Sequence, residues 1–254
     1  CDITGYGETG PAATMKAYDF LIQCETGLAS ITGTPESPAR VGVSAADIAC
    51  GMNAHAAILQ ALFERERTNS GRGISVSLFD AIAEWMTVPL LHFDYGGKAP
   101  ERAGLKHPSI APYGVFTTSE GSQLVVSIQN EREWMKFCSI VLEDTTLARN
   151  PRFSSNALRC ANRFALDGLV ARVFANASSD AMIERLEAAG TAWSRLNGVD
   201  GLSKHSQLRR VIAHTPTGPV DLPASPVRWD GEHPKIMTVP SLGADDAAIR
   251  AEFA

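Results

Sequence analysis

A long amphipathic helix that leads through a short loop into a strand is the feature that most constrains the fold of this chain. Residues 44–67 place apolar side chains at helical spacing, including Ile48, Met52 and Phe63, and end in the charged run ERER. The run NSGRG breaks this helix, and the following ISVSLFD alternates apolar residues with serines, which is the period of a half-buried strand. This order of elements predicts an α/β fold.

The remaining patterns predict a division of the chain into three parts. An apolar helix over 81–93 leads into DYGGKAPERAG, a linker of Gly, Pro and charged residues, so we place a domain boundary near Gly96. Beyond it, two strands joined through SEGS precede predicted helices at 131–142, 156–174 and 179–189. A Pro-rich extended stretch, TPTGPVDLPASPVRW, and an amphipathic helix, LGADDAAIRAEF, complete the chain. The predicted parts are 1–95, 96–205 and 206–254.

Charge and cysteine usage exclude several classes of protein. The net charge is -5 and the basic residues are scattered, so nucleic acid is not an expected partner. No apolar run approaches the roughly 18 to 20 residues of a membrane span, and the amino end has no signal-like core. The five cysteines contain no C-x-x-C pair, which predicts neither a disulfide framework nor a metal site. We predict a soluble, cytoplasmic protein without a membrane partner.

The opening CDITGYGETGP contains glycines at the spacing of a dinucleotide-binding turn. Gly5, Gly7 and Gly10 match G-x-G-x-x-G, a pattern that needs a strand before it and a helix after it. Only four residues precede Gly5, too few to show a strand, and the stretch that follows begins with Pro11. This context does not favour a nicotinamide or flavin enzyme.

Two interpretations compete at the start of the long helix. Gly42-Val43-Ser44-Ala45-Ala46 nearly matches the G-x-S-x-G nucleophile elbow, which would make Ser44 the nucleophile of a serine hydrolase. The preceding ESPARVG is polar, which is unlike the buried strand that an elbow requires. Alternatively, Ser44 and Asp47 resemble a capping box, which needs no function. The same position puts the Asp47 carboxylate in the first turn of a helix, where the field favours its ionised form and it could act as a nucleophile.

Four longer motifs, in their order and spacing, resemble the family III CoA-transferases, which include formyl-CoA transferase and carnitine CoA-transferase. These motifs are KAYDFLIQ, ETGLASITG, ADIACGM and ILQALFERERTNSGRGISVSLFDA. The opening ITGYGETGP resembles the turn that precedes them, so its glycines are interpreted as that turn. The resemblance implies an open Rossmann-like large domain, to which 1–95 and 206–254 belong, with an inserted smaller α/β domain and an interlocked homodimer. Because the chain begins with Cys1, we expect it to lack the family's amino-terminal segment, and with it most of the contacts to CoA.

The same resemblance implies a site and a reaction. Asp47 corresponds to the family's nucleophile, which accepts CoA from an acyl-CoA thioester through a mixed anhydride and an aspartyl-CoA thioester and passes it to a carboxylic acid. Lys16 corresponds to a lysine that contacts CoA, and Tyr18 and Asp19 are the supporting residues of the site. The related acyl-CoA racemases have a His near the position of Tyr18, so the tyrosine favours transfer. No permanently bound cofactor is implied, since the CoA thioester is a substrate.

The loop RAGLKHPSIAPYG occupies the region of the family's glycine-rich flap. Here His107 and Tyr113 stand among residues that replace glycines, so we expect this loop to contact the substrate and help select the acid. The alternatives are a racemase of the same fold, a serine hydrolase that uses Ser44, and a non-catalytic protein that only binds a partner.

Overall fold

The computed structural model describes residues 1–231 and 238–253. The strands are β1 (Asp2–Thr4), β2 (Gly33–Thr34), β3 (Ser37–Pro38), β4 (Ser75–Ser77), β5 (Tyr113–Thr117), β6 (Gln123–Ser127), β7 (Ala192–Arg195), β8 (Arg210–Thr215) and β9 (Gly218–Pro223). The helices are α1 (Asp19–Glu25), α2 (Leu28–Ile31), α3 (Ala45–Thr68), α4 (Leu78–Trp85), α5 (Thr87–Gly96), α6 (Glu131–Lys136), α7 (Asn156–Ala161), α8 (Arg163–Ala175), α9 (Ser179–Ala189), α10 (Val199–Ser203) and α11 (Asp246–Glu252). They form two compact units, Cys1–Arg195 and Leu196–Ala254.

The first part of the larger unit is built on a parallel strand pair and three helices. Strands β1 and β4 run parallel, with Asp2 opposite Ser75 and Thr4 opposite Ser77. Helices α1, α3 and α4 pack around one another and bury a small cluster of side chains: Ile22, Ala46, Ala49, Cys50, Ala81 and Ile82. Mixed helices and strands confirm the predicted α/β class.

The longest predicted helix is confirmed as α3, but the face that it buries is not the one that carries its large apolar side chains. The helix ends at Thr68, and the next residue, Asn69, adopts a left-handed conformation with φ 55°. The buried residues are small, chiefly alanines and Cys50, which lets α1 and α4 approach closely. Met52 and Phe63 are 68% and 65% exposed. The apolar period therefore predicted the helix and not its contact face.

Strand β4 is shorter than the predicted strand because a cap starts a helix at Leu78. The Ser77 hydroxyl oxygen accepts the Asp80 N–H at 3.0 Å and its O–H donates to Asp80 Oδ2 at 2.6 Å. This is the capping arrangement that the sequence suggested for Ser44. The predicted helix over 81–93 is two helices, α4 and α5, which meet at Met86.

A second hydrophobic cluster forms between residues 111 and 189. Strands β5, β6 and β7 make an antiparallel sheet in that order, with Val115 opposite Val125 and Val126 opposite Trp193. The two predicted strands and the helix over 179–189 are confirmed. The helix predicted over 131–142 is α6 followed by a π-helical segment, Phe137–Val141, and the helix predicted over 156–174 is interrupted at Asn162. One cluster lies on each side of the linker. The boundary near Gly96 and the three-part division both stay predictions, since residues 1–195 form one compact unit.

The described residues of the smaller unit form an antiparallel hairpin and the short helices α10 and α11. Strands β8 and β9 pair from Arg210 opposite Pro223 to Thr215 opposite Gly218. The Pro-rich stretch is extended, as predicted, and supplies β9. The predicted terminal helix is α11. Across residues 1–231 and 238–253, helices long and apolar enough to cross a membrane are absent.

Candidate active site

The predicted nucleophile lies in the first turn of α3. Asp47 is exposed, and among the described residues its carboxylate has no hydrogen-bond or ion-pair partner. Ser44 is the residue before the helix, but its side chain makes no capping hydrogen bond, so the capping-box interpretation is wrong. The Ala45 N–H instead closes a tight turn onto the Val43 carbonyl at 2.8 Å. Asp47 is therefore free of the structural role that competed with a chemical one.

The side chain that caps α3 comes from another helix. Asp19, which is 8% exposed, accepts the Ala46 N–H through Oδ1 at 2.8 Å. The backbone N–H groups in the first turn of a helix lack partners within the helix and give this end a partial positive charge, which the Asp19 carboxylate complements. No local pattern identifies this cap, because 27 residues separate the two partners.

Gln23 extends this contact into a buried polar network that the sequence analysis missed. Its Nε2 donates to Asp19 Oδ2 at 2.9 Å, and its Oε1 accepts the Val41 N–H at 2.8 Å. Asp19 Oδ2 also lies 3.4 Å from Arg40 Nη2. Residues 19 and 23 share one face of α1, since they are one helical turn apart. That spacing is the only sequence signal that could have paired them.

Tyr18 directly precedes Asp19, whose carboxylate accepts the Ala46 N–H. It is the residue before α1 and is 71% exposed. Tyr18 and Asp47 are each one residue away in sequence from a partner of the Asp19–Ala46 hydrogen bond, and their shared role in a site stays a prediction. Lys16 is exposed two residues earlier, and the described residues contain no ion-pair partner for it. Lys16 is thus a cation without an ion pair among the described residues.

The glycine-rich opening turn packs closely against the segment that contains Lys16 and Tyr18. A Cβ atom on Gly5 would lie 2.2 Å from the Ala17 Cβ, so only glycine permits this approach. Gly7 and Gly10 have φ of 95° and 92°. Strand β1 does precede the turn, contrary to the expectation from its length, but the next helix begins only at Asp19. The turn lacks the helix that a dinucleotide site needs.

Cys50 lies one helical turn after Asp47 and is buried. Burial raises the pKa of the Cys50 thiol, and the nearby negative charge of Asp47 raises it further. A thiol with a raised pKa stays protonated at neutral pH and is a poor nucleophile. Cys50 is therefore a packing residue.

The predicted substrate loop has its own internal support. The His107 and Tyr113 rings stack with centroids 5.2 Å apart, and the His107 N–H donates to the Tyr113 carbonyl at 3.1 Å. Arg163 donates to the carbonyls of His107 and Ile110. None of the contacts among the described residues joins this loop to Asp47, so the structure does not assemble the two predicted parts of the site directly.

The loop lines an open cavity of about 540 Å³. Arg102 anchors one wall by donating to the carbonyls of Ser30, Thr34 and Pro35 at 2.7–3.0 Å. The side chains around the cavity that carry or can carry positive charge are His92, Lys98, Arg102, Lys106, His107 and Arg163. Glu101 also lines it and forms an ion pair with Lys98. Lys106 is paired as well, with Asp167 at 2.7 Å, so Arg102, Arg163 and the two histidines are the lining groups outside these ion pairs that could meet an anionic ligand.

The serine-hydrolase alternative has little support. The Ser44 hydroxyl has no hydrogen-bond partner within the part of the chain that the structure describes, so no base is in place to activate it. The preceding β3 is a two-residue strand with exposed residues, unlike the buried strand of a nucleophile elbow. In residues 1–231 and 238–253, clusters of three or more side chains suited to a metal ion are absent.

Comparisons with known proteins agree with the motifs. The model of CoA-transferase family III matches residues 1–246. Acetyl-CoA:oxalate CoA-transferase from Acetobacter aceti is 32% identical over 99% of this chain and 65% of its own length. Succinyl-CoA:glutarate CoA-transferase from Mus musculus is 30% identical over 98% of this chain and 61% of its own length. The chain thus spans less than two thirds of these relatives.

A solved structure shows the same fold. The CaiB/BaiF family protein from Brucella suis superimposes with a TM-score of 0.83, covering 100% of this chain and 67% of that protein at 33% sequence identity. The family match covers nearly all of the sequence, and the resemblance first inferred from four motifs is confirmed. This chain belongs to CoA-transferase family III.

Proposed function

We propose that the protein transfers CoA from an acyl-CoA thioester to a carboxylic acid, with Asp47 as the covalent nucleophile. The observation that carries this proposal is that Asp47, unpaired within the described part of the chain, lies in the first turn of a 24-residue helix. Its carboxylate is exposed and unpaired among the described residues, and so is its own backbone N–H, whereas the N–H groups of Ala45 and Ala46 are occupied. A nucleophile and a donor for an oxyanion thus belong to one residue.

The proposed reaction needs no net change in protons. An Asp47 oxygen attacks the thioester carbonyl, the carbon–sulfur bond breaks, and CoA leaves as a thiolate from a mixed anhydride. The thiolate attacks the Asp47 carbonyl of that anhydride, releases the donor acid as a carboxylate and forms an aspartyl-CoA thioester. The acceptor carboxylate displaces the thiolate to give a second anhydride, and the thiolate then takes the acceptor acyl group and frees Asp47. At each tetrahedral stage the Asp47 N–H can donate to the oxyanion.

Lys16 and Tyr18 have supporting roles in this proposal. Lys16 contacts an anionic group of CoA, because it is exposed and free of any ion pair within the described ranges. Tyr18, exposed beside the Asp19–Ala46 contact, provides a hydroxyl near the reacting carboxylate.

We expect Lys16→Ala to raise the KM for the CoA ester by roughly 10- to 100-fold with a smaller change in kcat, because one charge-assisted contact of about 1.5 to 3 kcal/mol is lost. Steady-state kinetics at varied ester concentration measure this. Lys136, which lies in the last turn of α6, provides a matched control, since Lys136→Ala removes a surface charge from a different part of the unit. An unchanged KM in Lys16→Ala would remove the lysine from the binding site.

The acceptor in this proposal is a small carboxylic acid, bound with the help of the loop at His107 and Tyr113. The positively charged lining of the adjacent cavity supports an anionic ligand. The two relatives named above are CoA-transferases for oxalate and glutarate, both dicarboxylates. A screen of small mono- and dicarboxylic acids against succinyl-CoA tests the reaction class. Exchange of a substrate α-proton with deuterated water, without transfer, would instead indicate a racemase.

We expect His107→Ala and Tyr113→Phe to change which acid is preferred. Loss of the His107 ring removes its stacking on Tyr113, and loss of the Tyr113 hydroxyl removes a donor while the ring stays in place. The ratio of kcat/KM for a dicarboxylic and a monocarboxylic acceptor should shift by roughly tenfold, the effect of about one hydrogen bond. If neither variant alters this ratio, the loop has only a connecting role.

The proposed assembly is a homodimer of interlocked chains, acting in the cytoplasm. Large apolar side chains are exposed along α3 and α5, among them Met52, Phe63, Val88 and Phe93. Such surfaces are typical of protein–protein contacts. All five cysteines are free thiols, which supports a reducing compartment.

A further inference from the structure

We propose that Asp19 and Gln23 form a positioning pair that holds the loop over 40–46, and through it the nucleophile Asp47, in a reactive arrangement. This inference rests on the proposed function, because it assumes that Asp47 is acylated. It goes beyond it by assigning a role to Gln23 and by specifying how Asp19 acts. Neither side chain needs to touch the substrate.

The two side chains are unusual in being polar and almost completely buried. Gln23 is 0% exposed and Asp19 is 8% exposed, beside the apolar Ile22 of the same helix. A buried polar group that lacks partners costs free energy, so such groups are retained where their hydrogen bonds are made. Here the bonds are directed at a loop, not at the core. That direction distinguishes the pair from ordinary packing residues.

The pair forms hydrogen bonds with the loop at two points. At its start, the Gln23 amide accepts the Val41 N–H at 2.8 Å and its Nε2 lies 3.5 Å from the Val41 carbonyl. At its end, Asp19 Oδ1 accepts the Ala46 N–H at 2.8 Å. The 2.9 Å hydrogen bond between the two side chains joins these points. The intervening backbone, which includes Ser44, is thereby fixed relative to α1.

Asp47 follows directly after the second anchor. Because Ser44 provides no side-chain cap, the hydrogen bond from Asp19 is the side-chain cap that the described residues supply to the first turn of α3. Nucleophilic attack depends on geometry, and a displacement of about 1 Å can slow a reaction by roughly 10²-fold. Loss of either anchor should therefore slow acylation of Asp47 more than it weakens binding of the CoA ester.

The test is the rate at which Asp47 becomes acylated in a single turnover. The full chain is mixed with succinyl-CoA, quenched with hydroxylamine, and the modified peptide is quantified by mass spectrometry. Gln23→Met keeps the length of the side chain and removes its polar atoms. We expect at least about a tenfold slower modification of Asp47, with the succinyl-CoA concentration for half-maximal rate changed by less than about twofold.

Two further variants separate positioning from loss of stability. Thr118→Val removes another buried hydrogen bond, the one to Ser179 at 3.2 Å, far along the chain from the loop. We expect it to destabilise the protein with a normal acylation rate. Asp19→Asn keeps an oxygen for the Ala46 N–H but faces the Gln23 amide with a second donor, so its rate should lie between those of Asp19→Ala and the unsubstituted protein. If Gln23→Met does not fold, this graded series decides the question.

The outcomes distinguish the two proposals. Modification of Asp47 at the normal rate in Gln23→Met, or in both Asp19 variants should Gln23→Met not fold, would overturn the positioning role and leave the proposed function standing. So would a loss of rate in Thr118→Val as large as that in Gln23→Met, since the effect would then follow stability alone. Modification of another residue in the unsubstituted protein would overturn the proposed function, and this inference with it.

Discussion

Asp47→Asn should lose transfer activity by a factor on the order of 10³ or more while keeping its fold. The amide is almost the same size as the carboxylate but cannot form the anhydride with an acyl group. The carboxylate of Asp47 is exposed and makes no hydrogen bond within the described residues, so little stability depends on it. Thermal unfolding and steady-state transfer from succinyl-CoA, measured on the same preparation, give the two quantities.

Asp80 is a matched control, because it also lies in the first turn of a helix. Its carboxylate accepts the hydroxyl hydrogen of Ser77 at 2.6 Å, and the Ser77 oxygen caps the Asp80 N–H. Asp80→Asn should therefore change stability by about 1 kcal/mol and leave transfer nearly intact. Turnover near normal in Asp47→Asn, or hydroxylamine-trapped acyl group on any other residue, would contradict the nucleophile assignment.

Local patterns were sufficient for most of the secondary structure. Helix α3, the pair of strands β5 and β6, and α9 were all predicted from periodicity, since each is a continuous run with clear ends. The start of α4 was missed because alternation over ISVSLFD continues past Ser77, whereas the hydroxyl of Ser77 begins a helix there. The two hydrogen bonds between Ser77 and Asp80 thus mark the start of a helix where the apolar pattern predicted more strand.

The site was predictable only in part, because its geometry depends on contacts distant in sequence. The position of Asp47 followed from family motifs and from its place at a helix start. The cap from Asp19 and the two-point contact of Gln23 with Val41 join residues 27 and 18 positions apart. Composition and spacing carry no information on such pairs. The sequence also did not show which apolar face of α3 is exposed. Met52 and Cys50 are both apolar and lie two positions apart in one helix, yet Met52 is exposed and Cys50 is buried.

The second large effect is expected for a residue far from this chemistry, Arg159 of α7. It is 1% exposed, and its guanidinium donates to both carboxylate oxygens of Glu131 at 2.6 and 3.0 Å. It also donates to the carbonyls of Ala111 and Phe153 and lies 4.9 Å from the ring centroid of Trp134. One side chain thus joins α6, α7 and the segment before β5. Its removal should affect the whole second cluster.

Arg159→Ala should reduce the free energy of unfolding by about 3 kcal/mol or more, through a cavity and the loss of a donor for two carbonyls. Glu131→Gln keeps an acceptor for the buried cation, so its loss should be nearer 1 to 2 kcal/mol. Urea unfolding at neutral pH measures both.

The ion pair between Arg159 and Glu131 is tested by how the difference in unfolding free energy between the unsubstituted protein and Arg159→Ala depends on pH. The hydrogen bonds from Arg159 lower the pKa of Glu131 below its ordinary value of 4.5. A carboxyl group with a lowered pKa contributes stability above its unfolded pKa and loses it as pH falls through the folded value. The gap between the unsubstituted protein and Arg159→Ala should therefore narrow as pH falls below about 4.5, while a residual gap from the cavity persists. A gap that stays constant down to the acid transition would show that Arg159 acts through packing and carbonyl contacts alone.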